Sequence, residues 1–145
     1  MAGTAEEIPA GFAPHFRKSP VTDAWEPIFS KTEGGVIVIA LHVREAHCNG
    51  RGFLHGGVVS ALADAAMGHS CVRSLEQQEA GRARSALTVS LAVDFLASAQ
   101  ICQWVEIVPR VLKAGSSLGF ADCMVLADAQ PIARGNATFR FYETK

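Results

Sequence analysis

The clearest periodicity in the chain lies between Ser85 and Ser98. Leu87, Val89, Leu91, Val93 and Phe95 occupy every second position, with Thr88, Ser90, Ala92 and Asp94 between them. A period of two marks a half-buried strand, one face on a core and the other toward water. Residues Ile101–Gly115, Ser116–Ala129 and Pro131–Glu143 read as three further strands, with turns over Lys113–Ser117 and around Asp128–Pro131. Pro109 has no amide hydrogen to give a ladder, so it predicts an edge position or a bulge. Upstream, Gly34–Glu45 follows a Gly-Gly turn with β-branched residues and predicts another strand. Between these strands, Gly56 to about Leu75 is long, alanine-rich and free of proline, which predicts a helix. Glu76–Arg84 is a polar connector. Val21–Ser30 predicts a short helix capped by Asp23, with Trp25, Ile28 and Phe29 toward the core.

A strand, a long helix and then four strands in succession predict an α+β fold, an antiparallel sheet with the helix on one face. Residues 1–20 mix Gly, Pro and Ala without periodicity and predict a flexible N-terminal arm; residues 21–145 form a single domain. Composition narrows the function classes. The 145 residues are 49% hydrophobic and 19% charged, with a net charge of −1. That balance suits one core and supplies no basic field for nucleic acid. No apolar run approaches the ~18 residues of a membrane span, and no basic stretch followed by an apolar one opens the chain. Cys48, Cys71, Cys102 and Cys123 are widely separated, and the five histidines form no H-x-x-x-H. The expectation is free thiols in a reducing cytoplasm, with neither a disulfide framework nor a metal site.

The stretch "NGRGFLHGGVVSALADAAMG" (Asn49–Gly68) carries the candidate chemistry. Gly56 and Gly57 stand where the helix begins. Backbone N–H groups there lack helical partners and sit at the positive end of the helix dipole. Glycine lets a negative oxygen approach them closely. No phosphate-loop pattern is present, so the oxygen suggested is a developing oxyanion on a carbonyl. Asp64 returns to nearly the same helix face seven residues after Gly57, roughly 10 Å along the axis. Its neighbours Ser60, Ala61 and Gly68 are small and leave room for substrate or another chain. From spacing alone, a solvated aspartate and a plain tight turn remain the competing readings.

The pattern N-x-x-G-x-L-H-G-G followed by a helical Asp (Asn49, Gly52, Leu54, His55, Gly56, Gly57, then Asp64) resembles the hotdog-fold acyl-CoA thioesterases of the PaaI-like group. The resemblance spans roughly Trp25–Tyr142 and implies an antiparallel β-sheet wrapped around one long central α-helix. It implies an enzyme that hydrolyses a medium-chain or aromatic acyl-CoA without a cofactor, coenzyme A being part of the substrate. Gly56, with Gly57, would polarise the thioester carbonyl. Asp64 would act as nucleophile or general base. Asn49 would position water or the thioester, Thr88 would orient the attacking water, and His55 would brace the turn. The active sites would be shared within a homodimer, the dimers pairing into a homotetramer.

The nucleotide of coenzyme A would be held by Lys113, Gly115 and Ser116 in the turn, with Arg110, Arg134 and either Arg82 or Arg84 as further cations, a solvated surface charge being the competing reading for each. His69, about 140° round the helix from Asp64, reads as a core or interface histidine. Two features depart from the group: the end of the strand after the helix reads "FLASAQ", and the connector Glu76–Arg84 is long. Two other functions compete. A non-catalytic acyl-CoA-binding module has no need of the Asn49–Gly56–Asp64–Thr88 set. An enoyl-CoA hydratase or dehydratase wants a paired histidine and acid, which the sequence does not offer.

Overall fold

The computed structural model describes residues 6–82 and 84–144. Its strands are β1 (Ala13–Pro14), β2 (Phe29–Glu33), β3 (Val36–His42), β4 (Arg84–Phe95), β5 (Trp104–Ala114), β6 (Leu118–Ala127) and β7 (Gln130–Glu143). All pair antiparallel in one sheet of order β1-β2-β3-β5-β6-β7-β4. The one α-helix among the described residues, α1 (Gly56–Gln78), lies on one face of that sheet. This is the expected α+β arrangement of a sheet curled over a long helix.

The turns follow from local chemistry. Gly34 and Gly35 both take positive φ, +59° and +81°, which closes the β2–β3 hairpin without a Cβ penalty. The β6–β7 hairpin also turns through positive φ, at Asp128 and Ala129, which carry a Cβ. Pro109 sits in β5 two residues beyond Ile107, where the pairing with β3 ends, so on that side its missing N–H costs no ladder bond.

The core sits between helix and sheet. Val58, Val59, Leu62, Ala66, Met67, Cys71 and Leu75 recur at helical spacing and are all buried. They meet Ile39, Leu41, Ile107, Val125 and Phe139 from the sheet. Burying each large apolar side chain contributes roughly 1.5–3 kcal/mol. Ser70 adds a polar tie: its hydroxyl donates to the Ala66 carbonyl at 2.7 Å and accepts the Ile37 N–H at 3.0 Å.

The structure departs from the sequence reading in three places. Val21–Ser30 holds a 3-10 turn over Pro20–Trp25, and the chain then enters β2. Asp23 lies inside that turn, with Ser19 at its N-cap. The arm expected to be flexible is docked over its described length. Ala13–Pro14 pairs with β2, His15 is buried against Ser30 at 2.9 Å, and the Glu7 carbonyl meets His42 Nε2 at 3.0 Å. Residues 1–5 of the arm lie outside the described residues.

The third departure is β4. Its pairing with β7 slips between Thr88 and Ser90, leaving Val89 as a bulge. A bulge exchanges the two faces of a strand. Ala86 and Thr88 therefore face the helix before it, and Val93 and Phe95 face the helix after it. Leu87 and Val89 remain 61% exposed instead of entering the core. β4 pairs on one side only and ends the sheet.

Candidate active site

The helix entry is a self-braced turn. His55 is the N-cap of α1, and its Nδ1 accepts the Gly57 N–H at 2.8 Å. An accepting Nδ1 places the proton of neutral imidazole on Nε2. That bond removes Gly57 from the expected oxyanion donors, because its one amide hydrogen is committed to His55. Gly56, the first helical residue, retains an N–H with no acceptor among the described residues. The Phe95 ring lies 3.0 Å from where a Cβ on Gly56 would stand, so this position has little spare room.

Asn49 organises the loop before the turn. Its Oδ1 accepts the N–H groups of Arg51 at 3.0 Å and Phe53 at 3.2 Å. Its own N–H donates to the Phe53 carbonyl at 2.8 Å, leaving the side-chain amide NH2 as its donor toward anything outside. The loop is pinned from below by His47, which is fully buried. The His47 carbonyl accepts the His55 N–H at 2.8 Å, Nδ1 accepts the Arg44 N–H at 2.9 Å, and Nε2 meets the Trp25 carbonyl at 2.9 Å. Burial lowers the His47 pKa, so this ring is a neutral brace.

The acid lies further along the helix. Thr88 Oγ1–H donates to Asp64 Oδ1 at 2.6 Å, a charge-assisted bond between α1 and β4. Only the bulge at Val89 makes it possible for Thr88 and Phe95 both to face the helix. Asp64 and Thr88 line a cavity of about 310 Å³. Ala61, Ala65, Gly68 and Val72 form its helix wall, and Ile39 and Phe139 part of its sheet wall. The Phe139 ring passes within 3.2 Å of the place a Cβ on Gly68 would occupy, which explains a glycine in mid-helix.

Gly56 and Asp64 are eight residues apart on one helix, about 12 Å of rise. Within one chain, the free amide and the carboxylate therefore do not converge on a single carbonyl. Asn49, His55 and Gly56 lie outside the residues that line the Asp64 cavity.

The candidate nucleotide ligands are dispersed. Lys113, Gly115 and Ser116 occupy the β5–β6 hairpin, where the Gly115 N–H donates to the Leu118 carbonyl at 2.8 Å; none of them lines the Asp64 cavity. Arg134 donates from Nε to Asp94 at 3.0 Å, and Arg110 forms a two-pronged pair with Asp122 at 3.0 and 2.5 Å. In both strands the helix-facing positions fall on the neighbouring residues, so these two arginines lie on the outer sheet face. Arg84 is not a surface cation at all. Its side chain is 10% exposed, bonds Glu79 at 2.9 Å and lines the Asp64 cavity. Arg82 pairs with Glu143.

The sequence places His69 in the core or an interface and assigns no site role to the cavity residues before the first long strand. His69 lines the cavity, and burial lowers its pKa to about 4, helped by the nearby His15 and Arg17. His15, Arg17, Ser19, Val21 and Thr22 line it from the N-terminal segment. Polar and aromatic residues in a stretch without periodicity gave no signal for that placement. All four cysteines are free, and burial pushes the thiols of Cys71 and Cys123 up to about 11, which leaves them unreactive at neutral pH. No cluster able to hold a metal occurs among the described residues, and no described helix is long and apolar enough to cross a membrane.

The described residues thus present a helix N-terminus with an open amide and, further along the same helix, a hydroxyl-supported carboxylate at a cavity of mixed polar and apolar lining. The model of the thioesterase superfamily matches residues 51–138, a span that holds Gly56, Asp64 and Thr88. The chain belongs to that superfamily, a family of thioester hydrolases, and its sheet around one long helix is the hotdog fold. Pseudomonas aeruginosa protein PA0474 is 34% identical over 133 residues, which cover 91% of this chain and 96% of that protein. Human acyl-coenzyme A thioesterase 13 is 28% identical over 108 residues, covering 72% of this chain and 71% of that protein. The crystal structure of zebrafish thioesterase superfamily member 2 superposes with a TM-score of 0.71 at 26% identity, covering 84% of this chain and 87% of that one.

Proposed function

We propose that the chain hydrolyses acyl-CoA thioesters at a site completed by a second copy of itself. The observation that carries this reading is the 2.6 Å bond from Thr88 to Asp64 at the wall of the cavity. It fixes one carboxylate oxygen and leaves the other free to take a proton. The acyl-CoA class is supported by the likeness to human acyl-coenzyme A thioesterase 13 over most of both chains.

The chemistry runs as follows. Asp64 accepts a proton from water as its oxygen attacks the thioester carbonyl. The Gly56 N–H of the second copy, at the positive end of its helix, stabilises the oxyanion. Asn49 of that copy, its Oδ1 held by the loop, offers its side-chain NH2 to the substrate. The intermediate collapses, the carbon–sulfur bond breaks, and the proton on Asp64 passes to the departing thiolate.

Two features favour the second copy. The spacing of Gly56 and Asp64 along α1 prevents one chain from supplying both groups to one carbonyl. In addition, β4 is a 12-residue edge strand with Leu87, Val89, Leu91 and Phe95 exposed. A long apolar edge invites pairing with another strand unless it is covered, and the same edge of a twin chain would cover it.

Release of free coenzyme A from a panel of acyl-CoAs tests the reading. Asp64→Asn keeps the shape and removes the base, so kcat should fall on the order of 10²–10⁴-fold. Equal rates in the two proteins would remove Asp64 from the mechanism.

A further inference from the structure

The cavity beside Asp64 has a direction. Ala61, Ala65, Gly68 and Val72 follow one another at spacings of four, three and four residues on a single helix face. They make a floor of small side chains roughly 16 Å long. Asp64 stands near its start, and Val72 and His69 lie toward its end.

The roof over that end comes from the N-terminal segment, and it is fastened. Ala13 and Pro14 pair with Ser30 and Phe29 of β2. The His15 N–H donates to the Ile28 carbonyl at 2.8 Å, and the buried His15 ring bonds Ser30 Oγ at 2.9 Å. The rings of His15 and Phe16 each lie 5.6 Å from the ring of His69, so segment and helix meet across the groove. Val21 and Thr22 continue the roof. His69 lines the cavity from the helix side.

We infer that the acyl chain of the substrate lies along this groove, and that His15–Thr22 with His69 close its far end and set the longest chain that fits. The inference rests on the acyl-CoA reading above for its ligand, and it makes the N-terminal segment the specificity element of the enzyme. Val21 and His69 limit the chain from opposite walls, one on the roof and one on the helix. Neither takes part in the hydrolytic step.

The test is binding of non-hydrolysable S-alkyl-CoA thioethers from ethyl to dodecyl by calorimetry. The proteins compared are the wild type, Val21→Trp and His69→Trp, with circular dichroism reporting folding. In the wild type, Kd should tighten about fourfold per methylene until the groove is full. Each variant should reach its plateau two or more carbons earlier, with the ethyl thioether bound within threefold of wild type. Two variants on opposite walls keep the test valid if one of them misfolds. A length profile unchanged in the folded variants, or affinity independent of length in the wild type, overturns the inference. Hydrolysis of the matching thioesters is scored separately. Length-dependent binding without turnover would sustain the groove and sink the thioesterase reading.

Discussion

The helix entry and the acid eight residues beyond it are built in opposite ways. The entry is local: Asn49 accepts from Arg51 and Phe53, and His55 accepts from Gly57, through bonds spanning two to four residues. The acid is assembled at long range: Asp64 is held by Thr88, 24 residues away, through a strand that must first find its register with β7. The entry draws its side-chain caps from its own neighbours, rests on His47 and its bond to the Trp25 carbonyl, and leaves one amide unused. The acid has one oxygen occupied, one free and a groove beside it. Each region holds what the other lacks, and the helix keeps them apart within the chain.

This contrast can be broken at either end. The largest loss after that of Asp64→Asn should follow Gly56→Pro. Proline is well tolerated at the first helical position, and His55 already has the extended backbone that a following proline requires (φ −69°, ψ 134°). The substitution deletes the amide hydrogen and keeps the helix, while its Cβ must displace the exposed Phe95 ring, 3.0 Å away; kcat should fall on the order of 10²–10³-fold in protein that circular dichroism shows to be folded. An unchanged kcat would free the oxyanion from Gly56.

A smaller effect is expected at the long-range end. Thr88→Val keeps the shape and removes the hydroxyl that steadies Asp64. A charge-assisted bond of this kind corresponds to about a tenfold loss in kcat. Loss of stability with full activity would make Thr88 a purely structural residue.

An effect on stability, separate from catalysis, is expected from pH. His69 titrates near 4 in the folded chain and near 6.5 when unfolded, with His15 and Arg17 as its charged neighbours. Above pH 6.5 both states are neutral and the stability is intact. As pH falls from 6.5 toward 4, the unfolded chain gains a proton that the native chain refuses, so stability is lost. Urea unfolding should show the His69 contribution as a loss on the order of 2 kcal/mol between pH 7 and pH 5. His69→Phe should flatten that dependence. A variant with the same slope as wild type would contradict the assignment.

The same contrast explains what the sequence made legible. Helix α1, the hairpin turns and the strand order of the C-terminal half follow from periodicity and turn chemistry, which are local. The helix entry was readable for the same reason, although the competition of His55 for the Gly57 amide was not. The alternation in β4 misled because one bulged residue reverses the faces of a strand without altering its pattern. Thr88 thus seemed to stand opposite Phe95, while both face the helix. The N-terminal segment carried no periodic signal, because its placement depends on β2 and on two histidine rings meeting across a groove. Arg84 and Arg134 looked like free cations because the carboxylates that hold them, Glu79 and Asp94, are brought near by the fold.

The most direct test of a site shared by two copies is complementation. Asp64→Asn and Gly56→Pro, each nearly inactive alone, are unfolded together, refolded as a mixture and assayed for coenzyme A release. In a two-fold symmetric dimer with shared sites, each mixed dimer has one site with both lesions and one with neither, so random mixing should restore about a quarter of wild-type activity. A mixture that stays at the level of the two separate variants would show that amide and carboxylate do not meet across two chains.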